Sequence, residues 1–202
     1  MWKSVPSAGP RGPVNLKVDV IEGKDTTRHI LFLHGLFGKG QSFQFLAKAK
    51  AIQKNFTCHL IDLCNHGSSD RSSLMDYESL ARDVQGYMAS VGLDQSKVTL
   101  VGHSLGAKTA MTFACLFPNQ VDRLVSLDAS PIDRNQLPHL NEQSRKMIED
   151  AMRMGSLQGM SLENAIKKIK AEVEDQVLQT ALLFNLNPDG SLQVNLDAIN
   201  SN

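Results

Sequence analysis

The stretch VTLVGHSLGAKTAMTFA, residues 98–114, decides how this chain is interpreted. Its first part is an apolar run typical of a buried strand, and its second part has the composition of a helix. Ser104 lies at the junction, between Gly102 and Gly106. A G-x-S-x-G pattern in this context predicts a sharp turn that strains the serine and exposes its hydroxyl. Ser104 is therefore the candidate nucleophile.

The residues around Ser104 in this turn, residues 102–106, predict how negative charge is accommodated. Gly102, His103 and Gly106 shape the backbone of the turn, because only small neighbours let a strand and a helix approach so closely. The amino end of the following helix favours negative charge beside the serine oxygen. An oxyanion also needs preorganised N–H donors. The backbone N–H of Leu105 is the first predicted donor.

A second predicted donor comes from the loop HGLFGKG, residues 34–40, which follows another apolar run. His34 and Gly35 let the chain turn there, so that a backbone N–H can point at the serine oxygen. The N–H of Leu36 is the preferred donor, and that of Phe37 is the alternative. Together with Leu105, this loop predicts an oxyanion hole.

Outward from these motifs, the chain alternates between predicted strands and helices. Such alternation predicts a mostly parallel sheet with helices on both faces. Reactive groups gather at the carboxyl ends of parallel strands, so we expect His34-Gly35, Asp62, Ser104 and Asp128 to share one edge. The predicted strands are 16–22, 29–35, 56–63, 97–104 and 123–131, and the predicted helices are 42–53, 76–92 and 105–117.

After residue 132 two helical stretches, 141–155 and 161–184, follow without a strand between them, which predicts an inserted helical lid. Ser161 is the expected N-cap of the second, and Asp189-Gly190 predicts a hairpin turn. The predicted organisation is a flexible lead-in (1–15), an α/β core (16–132), a lid (133–193) and the start of a truncated C-terminal part of the core (194–202).

Composition excludes several classes of function. The 21 basic side chains balance 21 acidic ones, so the overall charge favours no nucleic acid and no anionic membrane. No apolar run is long enough for a membrane span. An odd number of cysteines without a C-x-x-C pattern indicates neither a disulfide framework nor a zinc site, and no metal or other cofactor is implied. The amino end lacks the apolar core of a secretory signal. We therefore expect an intracellular protein, mitochondrial or cytoplasmic.

Several stretches together resemble the α/β-hydrolase family. The resemblance is closest to the YbfF-type bacterial esterases and their mitochondrial relatives, the group of α/β-hydrolase domain-containing protein eleven. It implies an α/β-hydrolase fold and a serine hydrolase that acts on a small acyl ester or thioester through an acyl-enzyme. The stretches that carry it are LHGLFG (33–38), DLCNHGSSD (62–70), VGHSLGAKTAM (101–111), LDASPI (127–132) and VNLDAI (194–199).

Two departures from that family qualify the resemblance. The group usually shows Arg-Asn-His-Gly where this chain has Cys64-Asn65-His66-Gly67. The family's closing strands and helices and its G-x-G-H motif are expected to be missing after Asn202. The second departure leaves open a truncated or inactive hydrolase-fold protein without catalysis, serving as a binding module.

The third group of a serine triad is an acid that orients the base. Asp128 is the preferred candidate, because it ends the strand that follows Ser104, and YbfF-type enzymes are similar in drawing their acid from this strand end. Asp197 is the alternative, since it follows the lid, where the commoner hydrolase arrangement takes its acid from the next strand. The sequence leaves both open.

The base is harder to identify. In the usual chain order of the fold the base follows the serine, and only His139, which begins the lid, does so here. His34 and His103 belong to the two turns and shape backbone. His66 is expected to make local structural hydrogen bonds. His29 and His59 lie in predicted strands, so no histidine is an evident base.

Overall fold

A computed structural model describes residues 11–24, 27–132 and 139–201. Its five strands form one sheet in the order β1-β3-β2-β4-β5. The three pairings among β3, β2, β4 and β5 are parallel, and β1 pairs with β3 as an antiparallel edge strand. The mostly parallel sheet is thus confirmed. The strands are β1 (Val18–Ile21), β2 (His29–Leu33), β3 (Thr57–Ile61), β4 (Val98–His103) and β5 (Val121–Leu127).

Helices cover both faces of this sheet. None of those in the described segments combines the length and the apolar character that crossing a membrane would require. They are α1 (Gln44–Ala47), α2 (Lys50–Gln53), α3 (Tyr77–Ser90), α4 (Leu105–Leu116), α5 (His139–Met154), α6 (Leu162–Glu172), α7 (Gln176–Phe184) and α8 (Leu196–Ser201).

The central strand β2 shows how the two faces are filled. Leu31 and Leu33 are buried in the larger apolar cluster, which also contains residues of α3 and α4. Ile30 and Phe32 point the other way, into the smaller cluster beneath α1 and α2. Because alternate side chains of a strand point to opposite faces, this continuous apolar run fits a strand covered on both sides. Burying each such side chain stabilises the fold by ~1.5–3 kcal/mol.

Helix α3 begins where the sequence predicts. The carboxylate of Asp76 accepts a hydrogen bond from the N–H of Ser79 at 2.6 Å, which caps the helix. Leu80, Val84 and Met88 are fully buried along one face of α3. Their spacing of four residues places them on one stripe of the helix. This stripe fixes α3 on the face of the sheet that carries the larger cluster.

The predicted helix 42–53 is instead two short helices. Ala49 has an extended backbone, with φ −60° and ψ 132°, and separates α1 from α2. Phe43, Ala47 and Ile52 all pack against the smaller cluster. An unbroken helix would turn Ile52 away from the sheet, because its position is about half a turn from that of Phe43 at 3.6 residues per turn. The break lets all three side chains face the sheet.

The predicted helix 161–184 is also divided. The carboxylate of Asp175 accepts a hydrogen bond from the N–H of Leu178 at 2.8 Å and caps α7 as a new helix. Ser161 caps α6 as predicted, accepting from the N–H of Asn164 at 3.3 Å. The apolar spacing that indicated a single helix therefore continues through a break, because a good N-cap residue restarts the helix. The segment predicted to be a lid, 133–193, contains α5, α6 and α7, and we keep the word lid for this segment.

The hairpin at the end of the lid forms around Asp189-Gly190. The N–H of Asn187 donates to the carbonyl of Ser191 at 2.8 Å, and Gly190 has φ +81°. Such a φ favours glycine. The arms meet at a single bridge between Leu186 and Leu192 rather than forming strands. After the hairpin, α8 begins at Leu196.

Residues 11–15, the described end of the predicted lead-in, are held against the core. The Arg11 guanidinium donates to both carboxylate oxygens of Asp83 at 2.7 and 2.8 Å, and this hydrogen bonding raises the pKa of Arg11. The N–H of Val14 also donates to Asp83 at 3.0 Å. Asp83 is fully buried in α3. A buried carboxylate needs such a partner, so this end of the lead-in is not free.

Candidate active site

The carboxyl ends of β3, β2, β4 and β5 lie side by side along one edge of the sheet. Each strand is followed within two residues by a predicted site residue. In the spatial order of the strands, these residues are Asp62, Gly35, Ser104 and Asp128. Neighbouring strands are about 4.8 Å apart, so Ser104 lies between the loop after β2 and Asp128, which follows β5. The predicted site residues of the core therefore share one edge.

Ser104 adopts a backbone conformation that few residues other than glycine tolerate. Its φ is +48° and its ψ is −110°. Its N–H donates to the carbonyl of Leu127 on β5 at 2.9 Å, which holds the turn against the neighbouring strand. A residue in such a region costs about 1–3 kcal/mol and persists only where the surroundings impose it. The side chain is partly exposed, as the sequence pattern predicts.

The two glycines of the turn are required by close approach of backbones. A Cβ atom on Gly102 would lie 2.4 Å from the carbonyl oxygen of Gly106 and 2.5 Å from the Cα of Ala107. A Cβ atom on Gly106 would lie 2.1 Å from the carbonyl oxygen of Leu33 on β2. Any side chain there would push α4 away from the sheet. The glycines thus set the first turn of α4 directly behind Ser104.

The chain after β2 makes a tight turn, residues 35–38, which we call the β2 turn. The N–H of Gly38 donates to the carbonyl of Gly35 at 2.9 Å. A Cβ atom on Gly35 would lie 3.4 Å from the Cβ of Ser104 and 2.6 Å from the Nδ1 of His103. The β2 turn therefore contacts the serine turn, and Leu36 occupies its first corner.

Hydrogen bonding distinguishes the two predicted donors of the β2 turn. The N–H of Phe37 donates to the Nε2 of His66 at 3.3 Å, inside the protein. Within the described ranges, the N–H groups of Leu36 and Leu105 donate to no protein acceptor. Leu105 begins α4, where the first N–H groups have no partner in the helix. Leu36 and Leu105 are thus the N–H groups left available beside Ser104.

His34 and His66 are buried and neutral. The Nε2 of His34 accepts from the N–H of Leu63 at 2.9 Å, so its Nδ1 carries the proton and donates to the carbonyl of Gly35 at 2.8 Å. The Nδ1 of His66 donates to the carbonyl of Cys64 at 3.0 Å. Burial lowers the pKa of His34 to about 4 and that of His66 to about 3. Both rings have their nitrogens engaged, so they hold loops together.

The remaining histidines lie in three different environments. His29 and His59 contact each other at 3.0 Å, and the other nitrogen of His59 is 2.7 Å from the hydroxyl of Tyr87 on α3. Burial lowers the pKa of His59 to about 4. His103 precedes Ser104, is half exposed, and has its Nε2 3.9 Å from the Oδ2 of Asp128. His139 is the first residue of α5, and its side chain lies outside the described part.

The two candidate acids occupy different places. Asp128 follows β5 directly, has φ +55°, and is exposed next to His103. Asp197 lies in the first turn of α8, on a helix rather than on the strand that the commoner arrangement would provide, and is exposed. Among the described residues, no hydrogen bond or ion pair joins Asp197 to Ser104 or to His103. The structure therefore brings Asp128, and not Asp197, to the serine turn.

A cavity of about 830 Å³ separates the two turns from helix α7 of the lid. The β2 turn and His103 form one wall, and α7 forms the other. Most of the lining side chains are apolar, and Ser104 itself lies just outside the lining, next to His103. The lining residues are His34, Gly35, Leu36, Phe37, Gly38, Ser42, Phe43, His103, Leu127, Gln176, Val177, Thr180, Ala181 and Phe184.

The residues that join the lid to the β2 turn were not predicted from the sequence. Asn185, directly after α7, donates from its Nδ2 to the carbonyl of Phe37 at 2.7 Å. Lys39 donates from its Nζ to the carbonyl of Phe184 at 2.6 Å. These contacts join positions about 145 residues apart, and no local pattern signals them. A polar residue at the end of a helix is otherwise typical of solvent-exposed positions.

Comparison with known proteins agrees with the fold. The sequence profile of the alpha/beta hydrolase fold family matches residues 28–169. The sn-1-specific diacylglycerol lipase ABHD11 of mouse is 34% identical over 192 residues, which cover 93% of this chain and 61% of the mouse protein. Esterase YbfF of Escherichia coli is 29% identical over 62% of this chain and 48% of that protein. The chain thus spans about three fifths of the mouse relative's length, 61%.

Solved structures show the same architecture. A marine microorganism esterase superposes with a TM-score of 0.75 at 26% sequence identity, over 94% of this chain and 71% of that one. A solved E-2-(acetamidomethylene)succinate hydrolase superposes with a TM-score of 0.67 at 21% identity, over 93% of this chain and 68% of that one. At this lower identity, the likeness concerns the fold alone.

Proposed function

Because this chain belongs to the α/β-hydrolase fold family, we propose that it is a serine hydrolase that cleaves carboxylic ester or thioester bonds through an acyl-enzyme. Esterases and lipases among the relatives support ester hydrolysis in general. The observation that carries the finer proposal is the strained Ser104, with φ +48°, beside the N–H groups of Leu36 and Leu105, which have no acceptor in the described part of the chain. Backbone strain at a single residue of this kind is typical of active sites.

In the proposed reaction, the Oγ of Ser104 attacks the carbonyl carbon of the ester, and its proton passes to a base. The carbonyl oxygen becomes negatively charged and accepts hydrogen bonds from the N–H groups of Leu36 and Leu105. The amino end of α4 adds a favourable dipole at the same place. Collapse of the intermediate expels the alcohol or thiol, and water then releases the acyl group from Ser104.

The cavity supports an acyl ester as the substrate class. Its volume of about 830 Å³ is within the usual range for small-molecule sites. Phe43, Val177, Ala181 and Phe184 provide apolar surface, while the two turns provide the polar groups at one end. This arrangement suits a small ester or thioester whose acyl chain lies along α7 and whose carbonyl reaches Ser104.

We assign the acid to Asp128 and keep Asp197 as the alternative. Asp128 follows the strand next to Ser104, and its carboxylate is exposed at the same edge of the sheet. A carboxylate there can orient a base that approaches from the open side of β5. Among the described residues, Asp128 forms no ion pair with a buried cation, so its carboxylate is available to a base.

A second candidate is a hydrolase-fold protein without catalysis that serves as a binding module. The histidines favour it, because His34 and His66 have their ring nitrogens bonded and His29 and His59 contact each other on β2 and β3. His103 lies directly beside Ser104, but its Nε2 is 3.9 Å from the exposed carboxylate of Asp128. In this case the cavity would bind an apolar ligand and Ser104 would not react.

Labelling with a serine-directed fluorophosphonate tests the proposed function. We expect Ser104 to be modified, and S104A to abolish the label. S42A is the matched control, because Ser42 also lines the cavity but occupies no strained turn. Mass spectrometry of the peptide that contains Ser104 identifies the site. Equal labelling of wild type and S104A would exclude Ser104 as the nucleophile and favour the binding module.

The intracellular location, mitochondrial or cytoplasmic, stays a prediction. The thiols fit a reducing compartment, because all three cysteines are free and burial raises the pKa of Cys58 and of Cys64 to about 11. Protonated buried thiols of this kind are inert. Localisation of a tagged chain in cells would test this prediction.

A further inference from the structure

Two buried side chains fix the peptide groups on both sides of Phe37. On one side, the N–H of Phe37 donates to the Nε2 of His66 at 3.3 Å. On the other, the carbonyl of Phe37 accepts from the Nδ2 of Asn185 at 2.7 Å. His66 comes from the loop after β3, whereas Asn185 comes from the end of the lid. Phe37 is therefore held between the core and the lid.

The β2 turn needs this support because Phe37 has φ +59°. It occupies the third position of the turn closed by the bond from Gly38 to Gly35, a position where a positive φ is normally met by glycine or asparagine. A bulky residue with positive φ is a genuine outlier. Such a conformation persists only when the surrounding structure imposes it. The hydrogen bonds of His66 and Asn185 supply that constraint.

Asn185 is well suited to this role. Its side chain is fully buried, and its Nδ2 donates to the carbonyls of both Phe37 and Ala181, at 2.7 and 2.8 Å. Both partners are acceptors, so the group between them must carry two hydrogens, which among short side chains only an amide provides. Asn185 thus links the last turn of α7 to the β2 turn through one nitrogen.

We propose that Asn185 is a positioning residue for Leu36: by holding the carbonyl of Phe37, it keeps the β2 turn in the conformation that presents the Leu36 N–H to the oxyanion formed at Ser104. This inference rests on the proposed function, in which Leu36 is an oxyanion donor. It also couples the lid to the reaction, because the lid must be in place for Asn185 to reach Phe37.

The lid has a second connection that does not involve Phe37. The Nζ of Lys39 donates to the carbonyl of Phe184 at 2.6 Å and to the Oε1 of Gln193 at 2.9 Å. The Nζ also lies 4.3 Å from the centre of the Phe184 ring. Removing the Asn185 side chain therefore leaves the lid attached to the loop. A variant of Gln193 loosens this second connection without touching the Phe37 carbonyl.

The test is the kinetics of fluorophosphonate inactivation of the whole chain, with the maximal rate, kinact, and the half-saturation constant, KI, measured separately. N185A should lower kinact by ~10- to ~100-fold and leave KI nearly unchanged, because loss of one oxyanion donor costs ~10²–10³-fold and Leu36 is displaced rather than removed. Q193A is the matched control in the same segment and should leave both constants unchanged. Equal kinact for N185A and wild type would overturn the inference.

N185D separates positioning from simple loss of structure. Its ionised carboxylate would face two carbonyl oxygens and donate nothing, whereas its protonated form can donate to Phe37. Burial raises the pKa of such a carboxyl, so the ratio of kinact for N185D to kinact for N185A should rise as the pH is lowered from about 8 to about 6. The ratio cancels changes common to both proteins. A ratio that does not change with pH contradicts the proposed role.

A readout independent of reactivity keeps this inference separate from the proposed function. Hydrogen exchange of the Phe37 amide, followed by NMR, should be faster in N185A than in wild type and Q193A, because the turn opens more often. Unchanged exchange would overturn the inference whether or not Ser104 reacts. A wild-type chain that shows protected exchange but no labelling at Ser104 would instead reject the proposed function and, with it, the catalytic role of the contact between Asn185 and Phe37.

Discussion

The Nε2 of His103 lies 3.9 Å from the Oδ2 of Asp128, so the residue before Ser104 faces the residue that directly follows the neighbouring strand β5. The pair is loose and open to solvent, with 48% of the His103 side chain and 88% of the Asp128 side chain exposed. Exposed ion pairs contribute little to stability. The contact therefore shows where Asp128 lies rather than adding stability: the preferred acid is at the serine turn, and its carboxylate is accessible.

Substitution of Asp128 should impair catalysis where a base is present. In a form of the chain extended by the C-terminal segment of the mouse relative, D128N should lower kcat by ~10⁴-fold, because an amide cannot orient and stabilise the protonated base. D197N is the control and should change kcat little, since Asp197 lies on α8. Steady-state hydrolysis of a p-nitrophenyl ester measures both. The opposite outcome would assign the acid to Asp197.

The 202-residue chain alone should turn over p-nitrophenyl acetate only weakly. The proposed N–H donors, Leu36 and Leu105, could still stabilise an oxyanion, and triads that lack a member keep ~10³–10⁴-fold acceleration over water. The measurement is kcat beside that of the extended form, after equal purification. Robust turnover that is lost in H103A or H139A would show that the base lies within this chain.

The glycine behind the serine turn should be essential for stability. G106A should lower the free energy of unfolding by at least ~2 kcal/mol, because overpacking of this kind costs ~1–3 kcal/mol even where side chains can adjust, and here the obstacle is the backbone of Leu33, 2.1 Å from the new Cβ. Urea denaturation measures the change. G12A, where no atom lies within 4 Å, should stay within ~0.5 kcal/mol of wild type.

Acid should unfold the protein through its buried histidines. Burial lowers the pKa of His34 and His59 to about 4 and that of His66 to about 3, whereas the unfolded chain has values near 6.5. Between about pH 6.5 and about pH 4 the unfolded state binds more protons, so the free energy of unfolding falls as the pH falls. At about pH 5 each histidine then costs ~2 kcal/mol.

The measurement is the urea midpoint between pH 7.5 and pH 5, with H59Q as the matched variant. Glutamine at position 59 does not titrate. Unfolding of H59Q should therefore take up about one proton fewer than unfolding of wild type over this range, so its free energy of unfolding should depend less steeply on pH. His59 lies on β3 and contacts Tyr87 rather than the serine turn, which keeps the test apart from the site. Stability that is level down to pH 5 in wild type would contradict the assignment of neutral buried histidines.

The sequence alone was sufficient for the sheet and for Ser104. The apolar runs, the helical spacing and the G-x-S-x-G turn are local patterns, and local sterics make them specific: a positive φ at Ser104 and a missing Cβ at Gly102 and Gly106 follow from the motif itself. That the carboxyl ends of the strands share one edge then follows from parallel pairing. Fold class and candidate nucleophile could therefore be predicted without coordinates.

The breaks within predicted helices show that apolar spacing alone does not predict where a helix ends. Apolar spacing runs through Ala49 and through the segment before Asp175, yet each position ends one helix and starts another. Packing of Ile52 on the sheet and capping by Asp175 outweigh the weak local preference for a continuous helix. Helix existence was predictable here, but helix continuity depended on tertiary contacts.

The surroundings of Ser104 depend instead on contacts between distant parts of the chain. The choice of Leu36 over Phe37 depends on His66, and the conformation of Phe37 depends on Asn185, 148 residues away in the chain. The fixing of Asp83 by Arg11 likewise joins residues 72 positions apart. Hydrogen bonds of this kind produce no repeating pattern in a sequence. Each needs one donor and one acceptor, and the packing of other elements determines whether the two come together.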